Sequence, residues 1–365
     1  MVSPPADLAT VAEYWERFFS KEVTVAKARA TQQGYRAIFD SYVRKELGDE
    51  QLHNLIADRQ VLVGWRSRLA ETKSHAVVAQ AQRVLSSMLS AAAEDGTIPH
   101  NPLLSHGQFG RRSGSRKLAR GRRARDPLAI DPSAWFLLME RLRRGARWSA
   151  VGAPRHGARS LERERGALMI ALGFMAGLRL PSEALGLRHR DVRAGRLYVE
   201  GRSSAGEYTE GTKTGPGRDL PLVGQLTVQL VRAERAYREA GRAFEPDDFL
   251  IRSLGGRMWS DHQARNWRRR QFKPAVRQVA TEFPQFSALA SATPYLTRHS
   301  FVSCCLQAGL SLATISAWTG TSIHMISRTY GRMLSRYEGS APISLAEQYR
   351  RARAEAMLVL SGPGR

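Results

Sequence analysis

Two segments in the second half of the chain carry cations that could act on a phosphate. Arg179 follows an apolar run and precedes Pro181, a residue suited to the first turn of a helix. An arginine at such a turn can grip an anion with a forked pair of donors. Lys213 lies between glycines and is the only lysine between residues 118 and 272. Unlike arginine, lysine can give up its proton when its pKa is lowered, so it could act as a general acid.

Two further segments add a second arginine and a tyrosine. Arg298 begins the phrase Arg298-His299-Ser300 ahead of an apolar stretch, and Tyr330 follows Gly320 by ten residues. Two arginines can neutralise both non-bridging oxygens of a pentacoordinate phosphate without a metal. A tyrosine can serve as a nucleophile, although a tyrosine considered alone is more often a core or interface aromatic.

In this order, the segments resemble the signature of the tyrosine recombinase, or phage integrase, family. AGLRLPSEALGL at 176–187 resembles the family's first arginine box, and GTKTGPGRDLPL at 211–222 resembles its lysine hairpin. YLTRHSFV at 295–302 resembles the box around the second arginine, and WTGTS at 318–322 the box that precedes the nucleophile. Four boxes in one order are far more specific than any one of them.

The resemblance implies a role for each residue. Tyr330 would attack a DNA phosphodiester and hold the strand through a 3′-phosphotyrosyl bond, while Arg179 and Arg298 grip the phosphate and Lys213 protonates the leaving 5′-oxygen. Because the covalent intermediate keeps the bond energy, no ATP is needed, and neither a cofactor nor a metal is implied.

Three features depart from the family's pattern. Tyr295 and Thr321 stand where the family has histidines, and four residues rather than three separate Arg179 from Glu183. A phenol and a hydroxyl can still donate hydrogen bonds, but neither titrates near neutral pH. We interpret the pattern as a variant active site, assign the extra residue to the turn, and leave the role of His299 open. His324 is a possible substitute donor.

Composition bounds the class of protein. A chain of 365 residues with 42% hydrophobic residues predicts two domains with cores of their own. A net charge of +23 favours a nucleic acid partner. The two cysteines, Cys304 and Cys305, are neighbours, which excludes an ordinary disulfide between them and is too few for a zinc site. No signal peptide is recognisable, and the longest apolar run, 167–178, is too short for a membrane span. We therefore expect a cytoplasmic, nucleoid-associated protein without a membrane partner.

The expected fold is mainly α with a small antiparallel β-sheet in the C-terminal domain, as a two-domain, C-shaped DNA clamp. Residues 8–106 would form a helical core-binding (SAM-like) domain, whose closing phrase GTIPHNP at 96–102 resembles the family's ending of that domain. Residues 107–127 would form a basic linker, and 128–365 the catalytic domain with its C-terminal helix. The linker cations are expected to contact the phosphate backbone: Arg111, Arg112, Arg116, Lys117, Arg120, Arg122, Arg123 and Arg125.

The predicted function is a site-specific DNA recombinase that integrates or excises a phage or mobile element. Its partner would be double-stranded DNA at attachment sites, bound by a homotetramer that is monomeric when free, and an accessory directionality factor is possible. Two alternatives are an inactive architectural DNA-binding protein and a type IB-like topoisomerase. The helix predicted at 343–360 could cap its own domain or dock on a neighbouring protomer.

Overall fold

The computed structural model describes residues 9–104, 130–144, 156–213, 215–253, 255–337 and 339–361. The chain divides into two compact units, residues 1–124 and 125–365. The predicted linker at 107–127, with all eight of its basic residues, lies outside the described residues. The structure confirms a mainly helical fold with small antiparallel sheets.

The first unit is helical throughout its described part. Its helices are α1 (Val11–Phe18), which continues through a π-helical turn (Phe19–Val23) into α2 (Thr24–Ala26), then α3 (Arg29–Tyr42), α4 (Arg44–Leu47), α5 (Asn54–Ala57), α6 (Arg59–Thr72) and α7 (His75–Glu94). In its core, Trp15 stacks on Phe39 with ring centroids 3.9 Å apart. Asn101, near the end of this unit, is buried and donates to the Ser86 carbonyl at 2.9 Å. That bond ties the closing phrase to α7 and satisfies a buried amide.

The second unit contains ten α-helices in its described part. They are α8 (Pro132–Arg144), α9 (His156–Met175), α10 (Ser182–Gly186), α11 (Gly224–Glu239), α12 (Asp261–Trp267), α13 (Lys273–Glu282), α14 (Leu296–Gln307), α15 (Leu312–Thr319), α16 (Ile323–Tyr337) and α17 (Leu345–Leu360). A π-helical turn (Arg268–Phe272) precedes α13, and 3₁₀ segments lie at His189–Asp191 and Pro284–Ser291.

The second unit also holds two small antiparallel ladders. A three-stranded sheet has the order β1 (Val192–Arg193), β2 (Arg196–Val199), β5 (Arg218–Pro221), and a hairpin pairs β3 (Gly201–Ser204) with β4 (Glu207–Glu210). From the sequence alone, residues 196–200 and 218–222 are predicted to be short strands, with Lys213 in a tip between them. They correspond to β2 and β5, which pair with Val199 opposite Arg218, but the β3–β4 hairpin is inserted ahead of the lysine turn. Its two short strands are polar except for Tyr208 and lack the alternation that predicts a strand.

Helices α9 and α14 approach each other closely through two glycines. A Cβ atom on Gly173 would lie 2.2 Å from the Thr297 hydroxyl oxygen, and one on Gly177 would lie 2.4 Å from a ring carbon of Phe301. Gly177 also has a φ of +63°, the left-handed conformation that ends many helices. This contact places Arg298, between those two α14 residues, at the end of α9.

The terminal helix α17 packs on its own unit. The Tyr349 hydroxyl donates to the Phe174 carbonyl at 3.2 Å, and the Gln348 amide donates to the Cys304 carbonyl at 3.0 Å. Near its far end, the Ser133 hydroxyl donates to Glu355 at 2.6 Å. The terminal helix thus packs on its own unit in this chain, and docking on a neighbouring protomer stays a prediction. None of the described helices is long and apolar enough to cross a bilayer.

Candidate active site

A buried carboxylate, Glu183, organises the site. It lies at the start of α10 with its side chain 1% exposed. It accepts hydrogen bonds from the Arg179 backbone N–H at 2.8 Å and from the Arg179 guanidinium at 2.7 Å. The Arg218 guanidinium donates to it with two nitrogens, at 3.1 and 2.7 Å. Arg298 contributes a third guanidinium, whose Nη1 is 3.9 Å from a Glu183 oxygen.

The charges around Glu183 leave the site positive. Burial by itself would raise the pKa of the Glu183 carboxyl, but the hydrogen bonds and charges of Arg218 and Arg179 outweigh it and hold that pKa below its ordinary value. The carboxyl is therefore ionised at neutral pH. Three guanidinium groups against one carboxylate leave a net formal charge of +2 in a largely buried cluster, which suits an anion.

The end of α15 fixes the positions of all three arginines. Its last carbonyls lack partners within the helix and carry the negative end of the helix dipole. The Trp318 carbonyl accepts from Arg218 at 2.7 Å, the Thr319 carbonyl from Arg298 at 2.5 Å, and the Gly320 carbonyl from Arg179 at 2.7 Å. Gly320 ends the helix with a φ of +62°, a conformation in which a side chain would be strained. The glycine that marks this box thus also shapes the cluster.

Arg298 is the most enclosed of the three arginines, with 2% of its surface exposed. Besides the Thr319 carbonyl, it donates to the Gly177 carbonyl at 2.6 Å and to the Thr321 hydroxyl oxygen at 2.5 Å. Burial and the nearby charge of Arg179 lower the pKa of its guanidinium. An arginine still remains protonated at neutral pH. Thr321, which stands where the signature that the sequence resembles has a histidine, therefore accepts a hydrogen bond directly from an arginine of the cluster.

Tyr330, on α16, lies beside the histidine that follows Arg298. Its hydroxyl oxygen is 2.6 Å from His299 Nδ1, and the residue is 5% exposed. Burial raises the pKa of the Tyr330 phenol, whereas burial and then the charge of Arg298 lower the pKa of the His299 imidazole. Tyr295 is 46% exposed, and its ring contacts His299 edge to face at a centroid distance of 5.2 Å.

Lys213 occupies the turn between β4 and β5, and its side chain is exposed. Gly211 and Gly215 flank it with φ angles of +74° and +149°. The strand that follows this turn begins at Arg218, which reaches Glu183, so the lysine turn is joined to the cluster through β5. The structure thus gathers Arg179, Arg298, Thr321 and Tyr330 and leaves Lys213 in an open turn. His324, considered as a substitute donor, is exposed.

The sequence prediction missed two contributors. Arg218 lies within the segment that resembles the lysine hairpin, but one more arginine among 56 basic residues gave no signal. The contact of His299 with Tyr330 depends on how α14 crosses α16, which spacing along the chain does not reveal. Glu183 holds Arg179 despite the four-residue interval, because both the backbone and the side chain of Arg179 reach it. Among the described residues, no three His, Cys, Asp or Glu side chains are grouped to hold a metal ion.

No family model and no curated protein matches this chain, but solved structures do. It is similar to the Tn1549 transposon integrase in complex with transposon right end DNA, at 17% identity and a TM-score of 0.63, over 90% of this chain and 98% of that one. It is similar to a lambda integrase tetramer bound to a Holliday junction, at 14% identity and a TM-score of 0.57, over 88% and 78%. It also resembles the XerH site-specific recombinase on a palindromic difH substrate, at 16% identity and a TM-score of 0.54, over 90% and 83%. The chain therefore has the tyrosine recombinase fold.

Proposed function

We propose that this protein is a site-specific DNA recombinase that cuts and rejoins duplex DNA through a 3′-phosphotyrosyl bond on Tyr330. One observation carries the proposal: three arginines, fixed around Glu183 by the end of α15, lie next to the Tyr330–His299 pair. A cluster with a net formal charge of +2 matches a phosphodiester, and preorganised donors stabilise the charge that develops when a nucleophile adds to phosphorus.

In the proposed reaction, the Tyr330 oxygen bonds to phosphorus while the bond from phosphorus to the 5′-oxygen breaks. Arg179 and Arg298 hold the phosphate, and Arg218 supports Glu183 so that the other two keep their orientation. The leaving 5′-oxygen takes a proton from the Lys213 ammonium. Rejoining reverses these steps when the 5′-hydroxyl of another strand attacks the phosphotyrosyl bond.

Two features of the free protein bear on how DNA would engage the site. Lys213 is exposed in its turn, so bound DNA would bring it to the phosphate. Tyr330 is only 5% exposed, so its phenol must become more accessible when DNA binds. We propose that the site completes itself on its substrate, which limits unwanted cleavage by the free protein.

The partner we propose is double-stranded DNA carrying the attachment sites of a phage or another mobile element. The net charge of +23 supports a polyanion partner. Several further predictions concern how the protein binds DNA: residues 8–106 form a core-binding domain, the linker cations contact phosphates, and the protein clamps the duplex. We also predict that the protein is a monomer when free and a homotetramer on DNA, that an accessory factor sets direction, and that the protein is cytoplasmic and associated with the nucleoid.

A covalent-capture assay tests the function. Nicked duplexes made from the DNA that flanks this protein's coding sequence would be incubated with wild type, Tyr330→Phe and, as a matched control, Tyr198→Phe on strand β2. We expect an SDS-stable protein–DNA adduct with wild type and with Tyr198→Phe, and none with Tyr330→Phe, which should bind DNA as before.

Two other outcomes would support the rival functions. Specific binding of a fragment without an adduct from any of the three proteins would contradict the recombinase and favour an architectural DNA-binding protein. Relaxation of supercoiled plasmids of any sequence by a monomer would favour a type IB-like topoisomerase. An adduct that persists in Tyr330→Phe would remove Tyr330 as the nucleophile.

A further inference from the structure

We propose that His299 is the proton acceptor for the Tyr330 hydroxyl, taking the position of general base in a site where Tyr295 replaces the family's histidine. The proposal rests on the proposed role of Tyr330 as nucleophile. It concerns a residue for which the sequence gave no role.

Helices α14 and α16 place the two side chains opposite each other, with their rings tilted by 44°. His299 and Ser303 are four residues apart on α14, and Tyr330 and Met333 are three residues apart on α16, so each pair lies on one helix face. The Tyr330 oxygen is 2.6 Å from His299 Nδ1, and the Ser303 hydroxyl is 3.6 Å from the Met333 sulfur. The two contacts lie about one turn apart on the same helix faces. The packing of α14 against α16 therefore supports the short oxygen-to-nitrogen distance.

The protonation states suit a transfer from oxygen to nitrogen. Burial and the charge of Arg298 keep the pKa of His299 below its ordinary value, so the imidazole is neutral at pH 7 and can accept a proton. Burial raises the pKa of the Tyr330 phenol, so it holds its proton until a base removes it. The titratable and charged groups near His299 are Tyr330 on α16, Tyr295 at the start of α14, and Arg298 on α14 itself.

The neighbouring candidates do not fit the role. Tyr295 carries a phenol, the same group as Tyr330, so it offers no better acceptor for the proton. The Glu183 carboxylate accepts from Arg179 and Arg218, which keep its pKa low and make it a weak base. Lys213 is a cation. Of the described side chains around Tyr330, His299 is the one whose ring nitrogen lies within hydrogen-bond distance of the reacting oxygen.

The step balances. As the Tyr330 oxygen bonds to phosphorus and the 5′-oxygen departs, the phenolic proton moves to His299 Nδ1 and leaves an imidazolium. That cation lies beside Arg298, which disfavours it in the free protein, but the negative charge of the phosphate offsets the repulsion. On rejoining, the imidazolium returns its proton to the Tyr330 oxygen as the bond from phosphorus to tyrosine breaks.

A first experiment needs no DNA. In the full-length protein with ¹⁵N-labelled histidine, NMR would report which ring nitrogen of His299 carries the proton. We expect the proton on Nε2 and a hydrogen-bonded, unprotonated Nδ1 whose shift changes in Tyr330→Phe. A proton on Nδ1 would overturn the proposal, since His299 would then donate to Tyr330 instead of accepting.

A second experiment measures single-turnover adduct formation on the nicked duplex. A general base contributes about 10²–10⁴-fold, so His299→Ala and His299→Gln should both slow the reaction by that factor without weakening DNA binding. Added imidazole should accelerate His299→Ala, where the ring leaves a space, and not His299→Gln. Glutamine can still hydrogen-bond Tyr330, so wild-type rates in His299→Gln would mean that His299 only positions the tyrosine.

The dependence of the adduct-formation rate on pH gives a further test, because a purely structural role of His299 would not change it. The wild-type rate should rise as His299 loses its proton, below the ordinary histidine pKa of about 6.5, and then level off. The histidine variants should lack this titration. A wild-type adduct together with an unchanged profile in His299→Gln would overturn this proposal alone, whereas failure of the wild type to form any adduct would count against the proposed function itself.

Discussion

Arg298 and Lys213 are both cations that we propose to act on one phosphate, yet the protein holds them in opposite ways. Arg298 is 2% exposed and donates to the Gly177 and Thr319 carbonyls and to the Thr321 hydroxyl. Lys213 is exposed in a turn between two glycines. In the proposed reaction, the residue that stabilises charge is therefore fixed before DNA binds, whereas the residue proposed to deliver a proton would be placed by DNA.

The difference follows from the chemistry of each task. Electrostatic stabilisation works best when donors need no reorganisation during the reaction, and arginine's rigid fork suits a fixed position. A proton donor has to meet an oxygen that leaves, and lysine's flexible stem suits movement. Changes in the cluster should therefore alter folding as well as rate, while changes at the lysine turn should alter rate alone.

Removing Glu183 should produce the largest effect. Glu183→Ala leaves the guanidinium groups of Arg179 and Arg218 buried without their carboxylate, which costs about 3–5 kcal/mol for a broken buried ion pair. We expect chemical denaturation to show this loss and the adduct to disappear. Glu239→Ala removes only the exposed ion pair with Arg235 and should change the free energy of unfolding little.

The dependence of stability on pH gives a second test of Glu183 in the arginine cluster. Because the pKa of Glu183 is lower in the folded than in the unfolded protein, its contribution is present above the unfolded value of about 4.3 and is lost as pH falls through the lower folded value. Glu183→Gln should lack this part of the acid destabilisation. If the free energy of unfolding depended equally on acid in the wild type and in Glu183→Gln, Glu183 would not be the carboxylate that stabilises the arginine cluster.

At the lysine turn, we expect a kinetic effect without a loss of stability. Lys213→Ala should slow adduct formation by about 10²–10⁴-fold and leave thermal unfolding and DNA binding unchanged. A substrate with sulfur in place of the bridging 5′-oxygen should restore the rate, because a thiolate leaves without a proton. Lys273→Ala, at the exposed start of α13, is the control. Failure of the sulfur substrate to restore the rate would remove Lys213 as the acid.

A smaller effect is expected where α9 meets α14. Gly177→Ala places a methyl group against Phe301 in a left-handed conformation, and overpacking of this kind costs about 1–3 kcal/mol. Since the Gly177 carbonyl accepts from Arg298, cleavage should fall too. Gly331→Ala meets nothing within 4 Å and should instead stabilise α16 by about 0.5–1 kcal/mol. Equal denaturation midpoints for the two variants would contradict the close approach of α9 to α14 at Gly177.

The sequence predicted the parts of the site that local motifs carry. Arg179, Arg298, Thr321 and Tyr330 were expected together because their boxes resemble a known order, and the structure brings them together. Gly320 was recognised as part of the box that precedes the nucleophile. Its left-handed conformation and the three carbonyls at the end of α15 could not be predicted from residue spacing. Arg218 was hidden because arginine is common in this chain.

The fold was predictable where periodicity is strong and not where it is weak. The apolar runs of the sequence predict helices α9 and α14, and two short segments, 196–200 and 218–222, predict the strands β2 and β5. The β3–β4 hairpin is short and polar, so contact with α10 rather than a sequence pattern defines it: a Cβ on Gly186 would lie 2.6 Å from the Arg202 Cα. The pairing of His299 with Tyr330 likewise requires the crossing of two helices.

The end of α15 has a consequence for how the site can be regulated. Three successive carbonyls each hold a different arginine, so the arginines share one support. A shift of this eight-residue helix along its axis would move all three acceptors by the same amount. The cluster of three arginines would then assemble or come apart in a single step. Any contact that displaces α15 would therefore switch the whole site.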